Sequence, residues 1–152
     1  MIRTLDHINI VVSNLEASKE FFLALGLELE DEAELEGDWI ARIVGFEKVR
    51  ARYAKLVQPG VGSNERATRL ELLQYLEPPS YADPNLGLAN GIGFRHMAFE
   101  VEDIEQTVGR LRALGVEFLG DVQTYSVTGK KLVYFHGPDG ILLELAEYSR
   151  NT

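Results

Sequence analysis

Apolar and polar residues follow two rhythms along this chain, and the pair of rhythms occurs twice. Dense apolar runs, "HINIVV" (His7 to Val12) and "HMAFEV" (His96 to Val101), predict short strands. Behind each run the apolar spacing becomes helical. Leu15, Phe22 and Leu25 form a stripe in the first half, and Ile104, Val108, Leu111 and Leu114 form one in the second. Asn14 and Asp103 stand at the predicted N-caps, where a short acceptor satisfies free backbone N–H groups. Gly26 and Gly115 stand at the predicted ends, where the chain needs a positive φ. Strand-like runs follow each helix: "WIARIVGF", "VRARYAKLV" and "TRLELLQYL", then "VEFLG", "KKLVYFH" and "ILLELAEY". Each half therefore reads as βαβββ. The Pro- and Gly-rich stretch 77–93 between them reads as a linker.

The recurrence is an internal repeat. A shift of 89 positions lays His7–Glu30 on His96–Leu119 without a gap. Seven of the 24 positions are identical: His7/His96, Val12/Val101, Glu16/Glu105, Ala24/Ala113, Leu25/Leu114, Gly26/Gly115 and Glu28/Glu117. A shift of 73 lays "LELLQY" (Leu70 to Tyr75) on "LELAEY" (Leu143 to Tyr148), with Glu71 on Glu144. A four-stranded sheet carrying one helix leaves an apolar face uncovered. The expected fold is thus α+β: tandem βαβββ modules, 1–76 and 94–152, forming a cup-shaped eight-stranded mixed β-sheet with the helices outside.

Composition narrows the function classes. The 152 residues are 45% hydrophobic and 26% charged, as in ordinary globular proteins, and the length suffices for a real core. There is no cysteine, which excludes thiolate chemistry and Cys-based zinc sites. The net charge of −9 argues against nucleic acid, which needs a positive footprint. No apolar run reaches membrane-spanning length. A soluble cytoplasmic protein is expected. The acidic run "ELEDEAELEGD" (Glu28 to Asp38) reads as a solvated loop or edge.

The candidate chemistry lies in the repeat. A lone histidine on an apolar strand is ordinarily a core residue, and a lone glutamate between leucines ordinarily points to solvent. Incidental residues have no reason to recur at equivalent places, so His7, Glu71, His96 and Glu144 form the candidate ligand set for a divalent cation. Imidazole with carboxylate suits Mn, Fe, Co, Ni or Zn better than Ca. Arg52, Lys55, Lys130 and Lys131 are candidate contacts for an anionic substrate. Trp39, Tyr53, Tyr75 and Phe135 are candidates to line the cup. His136 in "YFHGPDG" flanks a turn.

The segments "LDHINIVVSNLEASKEFFLALGLELE", "RLELLQYLEP", "GFRHMAFEVEDIEQTVGRLRALGVEF" and "KKLVYFHGPDGILLELAEY" resemble the vicinal oxygen chelate superfamily over nearly the whole chain. That superfamily includes glyoxalase I, methylmalonyl-CoA epimerase, extradiol dioxygenases and antibiotic-resistance proteins. The resemblance implies that the four metal positions fall on His7, Glu71, His96 and Glu144. It implies a divalent-metal-dependent isomerase, epimerase or lyase that stabilises an enolate or enediolate and moves a proton α to a carbonyl. Glu144 would act as the proton shuttle, ahead of Glu71. The substrate would be a small molecule with adjacent oxygens or a thioester, and the protein a homodimer. Three stretches are most like methylmalonyl-CoA epimerase: "RLELLQYLEP", "GKKLVYFHGPDGILLELAEY" and "GFEKVRARYAKL". The last places Glu47 near that enzyme's second acid/base. Arg95–His96 departs from the paired histidines of those epimerases, and glyoxalase I shares the four metal positions. The alternatives are an extradiol-type dioxygenase and a non-catalytic binding or resistance protein of the same fold.

Overall fold

The computed structural model describes residues 1–63 and 65–149. The chain separates into two compact units, one spanning Met1–Ala82 and the other beginning at Asp83. The first contains β1 (His7–Val11), α1 (Leu15–Leu25), β2 (Glu28–Glu36), α2 (Asp38–Val44), β3 (Arg50–Val57) and β4 (Arg69–Glu77). The second contains β5 (His96–Glu100), α3 (Ile104–Ala113), β6 (Gln123–Tyr125), β7 (Lys130–His136) and β8 (Leu142–Glu147), with a 3-10 turn at Pro138–Gly140. Each unit is a four-stranded mixed sheet. The orders are β1-β4-β3-β2 and β5-β8-β7-β6, and the pairs β1–β4 and β5–β8 are parallel. This is the α+β, twice-repeated architecture that the sequence predicts, with one added helix.

The caps form as the sequence requires. Asn14 Oδ1 accepts from the Ala17 N–H at 3.1 Å, and Asp103 Oδ1 from the Gln106 N–H at 2.9 Å. Gly26 takes φ 118°, a conformation that costs a side-chain-bearing residue strain, and donates to the Leu23 and Phe22 carbonyls. Gly115 likewise has a positive φ, 82°. The helical stripes are buried at Leu15, Phe22, Ile104, Val108 and Leu111. Leu114 departs from the expected stripe. It lies at the C-cap of α3 and is 62% exposed, because the helix ends before its side chain turns inward.

Both units repeat one capping device absent from the sequence reading. Gln74 Oε1 on β4 accepts from the Leu15 N–H at 3.0 Å, and Glu147 Oε2 on β8 accepts from the Ile104 N–H at 2.8 Å. Each ties the last strand of its unit to the first turn of a helix, where free N–H groups and the helix dipole favour an acceptor. The Ile104 N–H, then Lys131, holds the Glu147 carboxyl below its ordinary value of 4.5. A carboxyl held low in the folded state stabilises it above the unfolded pKa, and that contribution disappears as pH falls through the folded pKa. The melting temperature of Glu147→Gln is therefore expected below wild type at pH 7 and to converge with it well below pH 4.5. A constant gap across a pH series of thermal melts would refute this.

Two predicted strands need correction. "WIARIVGF" is not a strand: its residues through Val44 lie in α2. Ile40 and Ala41 are buried there against Val49, Ala51 and Leu73, because helical spacing brings them to one side. The strand in that part of the unit is β2, the acidic run itself. It is an edge, pairing antiparallel with β3, and its backbone bonds do not depend on apolar side chains. In the second unit "VEFLG" contributes only an isolated bridge, Phe118 with Phe135, and the fourth strand is Gln123–Tyr125.

The part of the 77–93 stretch from Asp83 onward belongs to the second unit and packs closely within it. A Cβ on Gly87 would lie 2.8 Å from the Gly140 carbonyl oxygen and 3.2 Å from His136 Nε2. Gly87→Ala is expected to cost about 1–3 kcal/mol in denaturant unfolding, because backbone must shift to admit the methyl. An unchanged midpoint would contradict that packing. Arg95 secures the same segment, donating to the carbonyls of Phe94, Asn85 and Leu88.

Candidate functional site

In each unit the histidine and glutamate meet by strand register. On the parallel pair β1–β4, His7 lies opposite Arg69 and Asn9 opposite Glu71. On β5–β8, His96 lies opposite Leu142 and Ala98 opposite Glu144. The shifts of 89 and 73 convert one set of partners into the other, so the register itself is repeated. Histidine and glutamate are diagonal neighbours on one sheet face in both units. His7 Nε2 is 3.5 Å from Glu71 Oε2, and His96 Nε2 is 3.1 Å from Glu144 Oε2.

The opposite face explains the choice of side. Arg52 reaches Glu16 on α1, and Gln74 caps α1, so residues alternating with Glu71 pack under the helix. Glu71, Leu73 and Tyr75 occupy the other face, where α2 covers Leu73 and Ala51. In the second unit Phe135, Leu143 and Glu147 share the helix side, leaving Glu144 and His96 on the other.

The local chemistry differs between the copies. His7 Nδ1 lies 2.7 Å from Asp6 Oδ2, which favours the tautomer protonated at Nδ1 and leaves Nε2 as a lone-pair donor. The Tyr53 hydroxyl donates to Glu71 Oε1 at 3.0 Å. Burial, then this carboxylate, pushes the phenol well above its ordinary value. Glu144 is only 4% exposed. Lys130 Nζ donates to its Oε1 at 2.9 Å, and the His96 ring packs against Tyr134 with centroids 4.8 Å apart. Each pair thus presents an imidazole nitrogen and a carboxylate oxygen to the same small space, a donor set that fits a first-row divalent cation. Among the described residues no three or more histidine, aspartate or glutamate side chains come together closely enough to hold a metal ion.

The remaining candidates sort clearly. Glu47 is exposed in the turn between α2 and β3, and its neighbour Lys48 pairs with Glu77 at 2.9 Å. Lys55 faces Glu30 at 3.7 Å, and Lys131 faces Glu147 at 3.2 Å. Phe135 is fully buried core, Trp39 is exposed on α2, and Tyr53 and Tyr75 pack at the margin of the α2 cluster. Asp6 was assigned no role from sequence, and Tyr53 only that of a candidate to line the cup. Asp6 directly precedes His7, which was the available signal. The contact of Tyr53 with Glu71 gave no signal, since it depends on the pairing of β3 with β4.

The family model described as the Glyoxalase/Bleomycin resistance protein/Dioxygenase superfamily matches residues 4–145. The chain belongs to this superfamily. A glyoxalase family protein of Bacillus cereus is 35% identical, with 97% of this chain and 95% of that chain covered and a TM-score of 0.87. The uncharacterized protein YwkD of Bacillus subtilis is 28% identical over 148 residues, covering 97% of this chain and 98% of YwkD. A variant of the fosfomycin resistance protein FosX from Listeria monocytogenes, complexed with Mn(II) and 1S,2S-dihydroxypropylphosphonic acid, shares the fold. It is 18% identical over 99% of this chain and 96% of that one, with a TM-score of 0.62. The glyoxalase-like fold that the resemblance implied is therefore the fold of this chain.

Proposed function

We propose that this protein is a divalent-metal-dependent enzyme that moves a proton α to a carbonyl, as an epimerase, isomerase or lyase. The observation that carries the reading is the repeated diagonal pair, His7 with Glu71 and His96 with Glu144, at one register in both units. These four side chains would hold the cation, and FosX, which carries Mn(II), supports a metal on this fold. When bound, a divalent cation supplies Lewis acidity toward adjacent substrate oxygens and lowers the barrier to forming an enolate or enediolate. The chain's own residues do the rest. Asp6 orients the His7 ring through Nδ1. The Tyr53 hydroxyl fixes one oxygen of Glu71. Glu144, with one oxygen toward His96 and one toward Lys130, is the group that accepts and returns the proton, with Glu71 the second choice.

The substrate class is a small molecule with adjacent oxygens or a thioester, and the protein works as a homodimer. No helix among the described residues is long and apolar enough to cross a membrane. Glu47, exposed as it is, is the candidate for the second acid/base that an epimerase alone would need.

Metal analysis of the purified protein beside His96→Ala is the first test. Wild type is expected to retain a divalent metal that the variant loses. Solvent-deuterium incorporation into methylmalonyl-CoA identifies an epimerase, and turnover of a hemithioacetal identifies a glyoxalase. Neither activity with Mn, Co, Ni or Zn would leave a binding protein of this fold as the reading.

A further inference from the structure

Six asparagines stand in the sequence, and Asn90 alone is followed by glycine. The others precede Ile10, Leu15, Glu65, Leu86 and Thr152. The side-chain amide carbon of an asparagine lies within reach of the next residue's backbone nitrogen. A side chain on that next residue obstructs the approach, and glycine leaves it open. We propose that Asn90 is a self-modification site: the Gly91 nitrogen closes on the Asn90 side chain to form a succinimide, and the aspartate or isoaspartate that follows draws Arg95 off the backbone it fastens. The proposal stands apart from the metal-dependent reading above.

The surroundings favour ring closure at this asparagine. Asn90 is exposed in a turn. The Gly91 N–H donates to the Leu88 carbonyl at 3.4 Å, a long bond that holds the nitrogen weakly. The nitrogens after Asn14 and Asn85 are held better: the Leu15 N–H donates to Gln74 at 3.0 Å and the Leu86 N–H to the Asp83 carbonyl at 3.1 Å. A Cβ on Gly91 would collide with Arg95 Nη1, so the guanidinium rests against this glycine. A fixed positive charge there favours the nitrogen anion that attacks and the oxyanion that forms. The bond from the Gly91 nitrogen to Asn90 Cγ forms, and the bond from Cγ to the amide nitrogen breaks. That nitrogen leaves as ammonia, taking the proton that the backbone gave up. Water then opens the ring at either carbonyl, giving aspartate, or isoaspartate with a main chain one methylene longer. Both products place a carboxylate next to Gly91. Arg95 Nη1 now donates to the Asn85 and Leu88 carbonyls at 3.2 and 3.3 Å. A carboxylate is a stronger acceptor than a neutral carbonyl and takes the guanidinium from them. The segment so loosened leads directly into His96 at the start of β5.

The test is incubation of the full chain for days in mildly alkaline buffer, followed by peptide mass spectrometry with fragmentation. Isoaspartate is measured in parallel by enzymatic methyl transfer from S-adenosylmethionine. Asn90 is expected to gain one mass unit about tenfold or more faster than Asn9, Asn14 or Asn85, with methyl acceptance rising alongside. Asn90→Gln, whose longer side chain must close a larger ring, is expected to show neither change. An Asn90 that stays intact, or that converts no faster than the other three, overturns the site. Hydrogen exchange of Asn90→Asp against fresh wild type tests the second half. The Leu86 and Leu88 amides, bonded to the Asp83 and Asn85 carbonyls at 3.1 Å, are expected to exchange several-fold faster in the variant. Unchanged protection of both amides overturns the release of Arg95. Thermal melts of each variant confirm that folded protein is being compared.

Discussion

Glu144→Gln is expected to reduce metal-dependent α-proton exchange by about 10²–10⁴-fold, the range for loss of a positioned acid/base group. The amide occupies the space of the carboxylate and its oxygen still accepts from Lys130, so folding should survive. It cannot carry a proton to and from carbon, and it leaves a divalent cation with one less negative charge. The measurement is deuterium incorporation at saturating metal, with a thermal melt as control. Glu144 is the most buried of the four proposed ligands and lies between His96 and Lys130. An active Glu144→Gln beside an inactive Glu71→Gln would transfer the role to Glu71. Activity in both variants would remove the metal-site carboxylates from the chemistry.

The second large effect is on stability. Phe135→Ala is expected to cost about 3–5 kcal/mol, the usual range for emptying a buried aromatic site. Its ring is fully buried and stacks on Phe118 with centroids 5.4 Å apart. Phe118 also forms the isolated bridge to β7, so the vacated volume lies beside a weakly paired segment. A fall in melting temperature of about 10 °C or more follows from the entropy of unfolding for a chain of this size. Leu114→Ser is the control, expected to stay within about 0.5 kcal/mol because that side chain is largely in solvent. Comparable losses from the two would mean that Phe135 is not a core residue.

Much of the candidate site was legible because the two copies check each other. His7 with His96 and Glu71 with Glu144 stood out by recurrence, and the shared register places each pair on one sheet face. The same comparison held a signal for the helix caps. Gln74 falls on Glu147, a difference in residue type but not in acceptor chemistry, and both close onto a helix N-terminus. The contacts that distinguish the copies, Tyr53 with Glu71 and Lys130 with Glu144, were not legible. Tyr53 lies two residues from Lys55, the β3 residue opposite Glu71, and Lys130 lies four residues from Tyr134, the β7 residue opposite Glu144. A side chain that reaches along a neighbouring strand leaves no trace in spacing along its own.

The sequence by itself determined the repeat, the strand–helix order that opens each unit, the caps, and the residues able to ligate a cation. These depend on local turns and on apolar faces, which the order of residues encodes directly. The tertiary structure alone decided that the acidic run is a strand and "WIARIV" a helix. A β-edge needs only a partner for its backbone, and β3 supplies one to Glu28–Glu36 whatever their charge. Ile40 and Ala41 gain most by turning together onto Ala51 and Leu73, and that surface exists only once β3 and β4 have paired.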